Sequence, residues 1–203
     1  MTLCGEMEAE VELKVSAETF HDVFSCRPHH VSNMSPAKVQ NADLNEGDWG
    51  KPGTVISWSY VLDGVPKIGK DVVEAIDDVK LSTTFKVIGG DITTEFKEFK
   101  FTVQATPKGE GSCLAHWTVE YEKLNENVPD PRAMLELFID ISKDIEEHHL
   151  TQKPNSTGMN DRSASHSLLL LTGQYHTRCC CCCMNELICI NVFKLSINLR
   201  GVC

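Results

Sequence analysis

The sequence predicts an α+β fold: a seven-stranded antiparallel sheet wrapped around one long C-terminal helix, with two short helices between the first two strands. Three observations carry this. Residues 130–150 form the longest helical pattern in the chain; almost everything from Val39 to Tyr121 alternates apolar and polar residues between short turns; and one further strand pattern opens the chain. A twisted sheet and a single helix, each with one apolar face, bury both faces when the sheet curls around the helix.

Taken in order, Glu6 to Val15 alternates strictly, with Met7, Ala9, Val11, Leu13 and Val15 on one face and glutamates on most of the other. Ser16-Ala-Glu-Thr has the spacing of a helix start, and Phe20, Val23 and Phe24 give that helix an apolar face before Arg27-Pro28 ends it. A second short helix is expected from Ser35-Pro36 to Val39, with Ser35 as N-cap. Six strands follow. Thr54 to Leu62 places Ile56, Trp58, Tyr60 and Leu62 together, Asp63-Gly64 is a tight-turn dipeptide, and Lys70 to Val79 is the partner, its facing blurred by Glu74 beside Ala75 and Ile76. Leu81 to Ile88 groups Thr83, Phe85 and Val87; Glu98 to Thr106 groups Phe99, Phe101, Val103 and Ala105; after Lys108-Gly-Glu-Gly111 come Cys113, Ala115, Trp117, Val119 and Tyr121. Short turns between successive strands make the series a meander. In the long helix, Asp130 is the expected N-cap and Pro131 the first residue, and Met134, Leu137, Phe138, Ile141 and Ile145 form one stripe at three- and four-residue steps.

Charge narrows the function classes. The chain carries a formal net charge of −10, and the whole acidic excess lies in residues 1–152, the remainder being slightly basic. An acidic ordered part argues against nucleic acid as partner, because such binding needs a basic surface that releases counterions. No basic and apolar leader opens the sequence and no apolar run reaches the ~18 residues of a membrane span, so a cytoplasmic protein without an integral membrane segment is expected. Seven of the ten cysteines crowd into the tail; Cys4, Cys26 and Cys113 alone precede it, which suits reduced thiols.

Two motifs invite site chemistry, and in both the plainer reading is favoured. Gly47-Asp-Trp-Gly50-Lys-Pro-Gly53 is neither a Walker A loop nor a dinucleotide fingerprint, and Pro52 lacks the N–H that a phosphate nest uses, so a rigid turn is expected. His29-His30 beside Cys26 lacks a second cluster to complete a tetrahedral site, and no metal is expected; His148-His149 fall in the last turn of the long helix, where a dipole-capping role suffices.

Arg27-Pro-His-His-Val-Ser-Asn-Met34, Glu46-Gly-Asp-Trp-Gly50, Gly53-Thr-Val-Ile, Tyr60 to Gly64, Pro107-Lys-Gly-Glu-Gly111, Tyr121-Glu-Lys-Leu-Asn125 and Ser142-Lys-Asp-Ile145 together resemble the plant major latex proteins of the Bet v 1 and pathogenesis-related class 10 superfamily. The resemblance runs from about Thr2 to Gln152 and implies a helix-grip, START-like fold with a hydrophobic cavity between sheet and helix, ligand binding or transport, a part in defence and stress, and no prosthetic group. On pattern alone, the inward aromatic residues either fill a core or line a cavity; the resemblance favours the cavity.

The expected ligand-binding residues are Ile56, Trp58, Tyr60, Thr83, Phe85, Phe99, Phe101, Trp117, Tyr121, Met134, Phe138 and Ile141, with Gly47, Gly50 and Gly53 in the glycine-rich loop. A sterol, fatty acid or hormone-like terpenoid is the expected partner, oriented by the hydroxyl of Tyr60, Thr83 or Tyr121. Some members of the superfamily catalyse a condensation with an inward lysine assisted by a carboxylate and a tyrosine. The inward positions of the last two strands hold neither lysine nor carboxylate, so no enzyme is expected. The alternative is a ligand-gated surface for a protein partner, as in hormone receptors of this fold, although their gate and latch sequences are not evident at Asp63 to Lys67.

The pattern stops near Gln152. Residues 153–203 are expected to be a disordered, non-family tail from an alternative exon or intron read-through, a reading favoured over palmitoylation or thiolate metal binding at Cys179–Cys183, with Asn155-Ser-Thr157 a bare sequon and Leu187 to Leu199 an aggregation hazard.

Overall fold

The computed structural model describes residues 3–152. The expectations for the tail, including the cysteine run, the sequon and the apolar stretch, lie outside the described residues.

Strand β1 is Cys4–Leu13, and its alternate residues Met7, Ala9, Val11 and Leu13 turn inward. Helix α1 is Ala17–Ser25. The Ser16 hydroxyl accepts from the Thr19 N–H at 3.2 Å, so one orphan donor of the first turn is satisfied as the sequence requires. A 3-10 turn at Pro28–His30 leads into a single helical turn, α2, at Val31–Met34. The second helix therefore lies upstream of its expected place, and Ser35 ends it instead of starting one: its N–H bonds the Val31 carbonyl. The Ser35 hydroxyl is engaged elsewhere, donating to Asp144, which also takes Lys38 Nζ at 2.7 Å. Those two bonds tie the segment after α2 to the C-terminal helix.

The meander consists of β2 (Val39–Glu46), β3 (Val55–Leu62), β4 (Val65–Asp77), β5 (Ser82–Gly90), β6 (Phe96–Gly109) and β7 (Ser112–Lys123). The sheet order is β1-β7-β6-β5-β4-β3-β2, with every neighbouring pair antiparallel. The chain thus starts at one edge, crosses through α1 and α2 to the other edge, and winds back to pair β7 with β1. Between β3 and β4, Asp63 and Gly64 both have positive φ, the two-residue turn whose twist matches a hairpin.

Helix α3, Arg132–Gln152, buries Met134, Leu135, Leu137, Ile141, Ser142 and Ile145 against the sheet's inner face. Its start differs from expectation by one residue. The Leu135 N–H bonds the Pro131 carbonyl, and the Asp130 carboxylate is bound to the Tyr121 hydroxyl and Lys123 Nζ at 2.8 and 2.6 Å, so it ties β7 to the helix entry instead of capping the helix.

One backbone contact demands glycine. Gly90 pairs with Gly69 at the end of β5, with φ 98° and ψ −170°, a region closed to other residues. A Cβ there would collide with the Ile68 carbonyl oxygen and stand 2.7 Å from Gly69 Cα. Gly90→Ala is expected to destabilise the fold by about 2–3 kcal/mol, read as a lowered urea midpoint with the slope unchanged; an unshifted midpoint would show that the β4–β5 pairing can give way there.

Candidate functional site

Strand alternation brings one side chain in two to the concave face, and the site is what these inward residues leave open under α3. Trp58 and Tyr60 of β3, Phe85 of β5, Phe99 and Phe101 of β6, Trp117 of β7, and Met134, Phe138 and Ile141 of α3 line one cavity, and all nine are among the residues expected to meet a ligand. The sequence reading left out of the site Phe24 of α1, Val31 of α2, and Gly69 and Asp71 of β4, which also line it. Gly69 lies beside the Tyr60 ring, where a Cβ would stand in ordinary contact at 3.4 Å from Tyr60 Cε1.

The rings meet. Phe24 packs edge-on against Trp117 at 5.2 Å, Trp117 stacks on Phe138 at 4.6 Å, Phe138 lies 4.9 Å from Phe101, and Phe101 stacks on Phe85 at 5.0 Å. A continuous aromatic chain therefore runs from α1 through β7 and α3 to β5. The remaining cavity is about 80 Å³ open to the centre of a water molecule. At roughly 10–15 Å³ per water on that measure, it holds a guest of about six to eight heavy atoms.

Three expected ligand contacts lie off the lining. Ile56 and Thr83 are fully buried in the packed core, where Thr83 Oγ1 has no hydrogen-bond partner among the described residues. Tyr121 sits past the cavity, its ring against Phe96 and over Gly5; its hydroxyl donates to Asp130, and burial followed by that bond pushes its pKa up to about 12. A hydroxyl so engaged cannot orient a guest.

The polar feature of the cavity is Asp71. It is 5% exposed, lies opposite Ile56 on one side and Val87 on the other, and forms no ion pair among the described residues. Burial pushes its carboxyl up to about 8. The Trp58 indole N–H leans toward it and favours the charged form, but is not aligned as a full hydrogen bond and has no other partner. The Tyr60 hydroxyl is also held well above its ordinary range, by burial first and then by Asp71, Asp91 and Glu95. Among the described residues, no lysine, arginine or histidine lines this cavity.

The glycine-rich loop satisfies itself. Gly47, Gly50 and Gly53 all have positive φ, Thr54 Oγ1 donates to the Asp48 and Lys51 carbonyls, and the Gly53 N–H bonds Val73 O at 2.8 Å. Nearby, the His29 ring packs 4.4 Å from His30 and 4.5 Å from Trp49, and burial, then the charges of His30 and Arg27, lower its pKa. Among the described residues no group of three His, Cys, Asp or Glu side chains is placed to hold a metal ion, and no helix is long and apolar enough to cross a membrane.

A curved antiparallel sheet gripping one long helix over an apolar hollow defines the helix-grip class. The pathogenesis-related protein Bet v 1 family model matches residues 2–152, and the chain belongs to that family. Over 153 residues it is 48% identical to MLP-like protein 43 of Arabidopsis thaliana, spanning 75% of this chain and 97% of that one. The crystal structure of major latex-like protein 151 from Panax ginseng superposes with a TM-score of 0.71 at 43% identity, over 73% of this chain and 99% of the other. Norcoclaurine synthase from Thalictrum flavum, solved with dopamine and hydroxybenzaldehyde, shares the fold with a TM-score of 0.63 at 20% identity, over 75% of this chain and 90% of its own.

Proposed function

We propose that the protein binds a small apolar or amphiphilic molecule in the cavity under α3 and carries or buffers it in the cytosol. One observation supports this above the others: the aromatic chain from Phe24 to Phe85 stops short of filling the interior, and what it leaves is walled almost wholly by carbon. Apolar space of this kind costs stability unless a guest restores the missing contacts. A place in plant defence is supported by kinship with plant proteins of a family named for pathogenesis.

The cavity's size refines the ligand. A sterol or terpenoid is larger than the present space and would have to displace Phe138 or Met134, whereas a compact guest enters as the side chains stand. Burying on the order of 200–250 Å² of such a guest at about 25 cal/mol per Å² gives about 5–6 kcal/mol gross, reduced by association entropy to weak, broad binding in the millimolar to micromolar range. Catalysis is not part of this reading, since among the described residues no lysine stands on the wall to form an iminium.

The three tryptophans make the test site-specific, for Trp58 and Trp117 line the cavity while Trp49 packs on His29. Titrating nitrogen-15-labelled protein with n-heptanol should move the indole signals of Trp58 and Trp117 saturably and leave Trp49 in place. Saturation without movement at Trp58 and Trp117 would end the proposal.

A further inference from the structure

Within that binding reading, we propose that the guest is a hydrophobic amine, its ammonium group seated on the Asp71 carboxylate among the aromatic rings. Four observations in the structure converge on it.

First, Asp71 faces the cavity from β4, almost fully enclosed, with no cation beside it among the described residues. Buried carboxylates in proteins are paired or neutralised, because removing the charge from water without a partner is very unfavourable. Here the fold encloses the acid and leaves out the base. Second, among the described residues no other charged side chain lines the cavity, so a guest cation meets one anion there, with Tyr60 the other titratable group on the described wall. Third, the remaining wall suits a cation. Trp58, Tyr60, Phe85 and Phe101 line the same space, and ring faces attract ammonium groups most strongly where water is excluded. Fourth, the acidic protein, at net −10, attracts cations and repels anions on approach.

The same chemistry ranks head groups. An ammonium gains the pairing that Asp71 lacks. A hydroxyl gains a single hydrogen bond to the carboxyl or from the unpaired Trp58 indole. A carboxylate places like charges together in an apolar space, so a fatty acid is the least suited of the amphiphiles the fold suggests.

The test uses the complete chain and three guests of nearly equal size, n-heptylammonium, n-heptanol and n-heptanoate, followed at pH 8 through the Trp58 and Trp117 indole signals. The expected order is heptylammonium at least tenfold tighter than heptanol and heptanoate at least tenfold weaker. In Asp71→Asn the amine-to-alcohol ratio should fall below threefold. Raising the pH from 6 to 8 should tighten heptylammonium in the unaltered protein while leaving heptanol unmoved, a readout that does not depend on any variant folding. Equal affinities, tighter alcohol or acid, a ratio that survives in Asp71→Asn, or an amine indifferent to pH would each overturn the amine assignment. Failure of heptanol itself to reach Trp58 would instead overturn the cavity reading on which it rests.

Discussion

Asp71→Asn should stabilise the fold in neutral and mildly alkaline solution, and the gain should grow with pH. In the unfolded chain this carboxyl titrates in the ordinary aspartate range; in the folded protein burial raises it to about 8. Between those values the folded state holds a proton that the unfolded state has released, so raising the pH favours unfolding by up to about 1.4 kcal/mol per pH unit. Below pH 4 both states are protonated and the carboxyl's contribution is intact; it drains away as the pH rises toward 8, above which the loss is complete. Asparagine matches the shape, does not titrate, and offers the neutral group that Asp71 itself adopts in the fold. The variant is therefore expected within about 1 kcal/mol of the parent at pH 4.5 and several kcal/mol more stable at pH 8. Urea denaturation at pH 4.5, 6 and 8, compared as differences between the two proteins, reads this directly. Parallel profiles, or a variant weaker at pH 8, would mean that Asp71 is solvated or paired in solution.

The architecture was legible because its signals are local. The glutamate-spaced alternation of β1, the Ser16 cap, the Asp63-Gly64 turn and the stripe from Met134 to Ile145 each depend on residues near one another in the chain. Strand β2, with Asn41, Asp43 and Asn45 and two register shifts against β3, has no comparable pattern, and its bounds appear only in the structure. The misplaced helix caps share one cause: side chains engaged by partners outside their own helix. Ser35 serves Asp144 across more than a hundred residues, and Asp130 serves Tyr121 and Lys123 instead of its own helix. Asp71 differs, because a usable signal was present. Register shifts at Lys70/Asp71 and Val73/Ala75 spoil the alternation of β4 with β5, which is why its facing looked blurred. Counting back from the two-residue turn sets Leu62 opposite Val65, Trp58 opposite Gly69 and Ile56 opposite Asp71, and residues directly opposite share a face. Hairpin register, not hydrophobicity, would have put this acid inside.

Trp117→Ala should destabilise the protein by about 3–5 kcal/mol, the range for removing a large buried aromatic side chain. Trp117 is 1% exposed and joins the sheet to α3 twice over: its ring stacks on Phe138, and its indole N–H donates to Ser142 Oγ at 3.0 Å, while that hydroxyl donates on to the Phe138 carbonyl at 2.8 Å. Truncation removes both ties, and because Trp117 already lines the cavity, the vacated space merges with it instead of closing as a separate void. Trp117→Phe, which keeps a ring between Phe24 and Phe138 but loses the N–H, should fall between the two, about 1–2 kcal/mol below the parent. The enlarged hollow should also change which guests bind. Against n-heptanol, a bulkier apolar alcohol such as 1-adamantanol is expected to gain affinity in the alanine variant and to restore part of its stability as its concentration rises above the dissociation constant. Chemical denaturation of the three proteins with and without each alcohol separates the outcomes. An alanine variant within about 1 kcal/mol of the parent would show that α3 settles into the gap and that the aromatic chain does not hold it. Full destabilisation with no gain for the larger alcohol would show that Trp117 walls off a packed core, and the cavity would have to be sought on the Trp58 side alone.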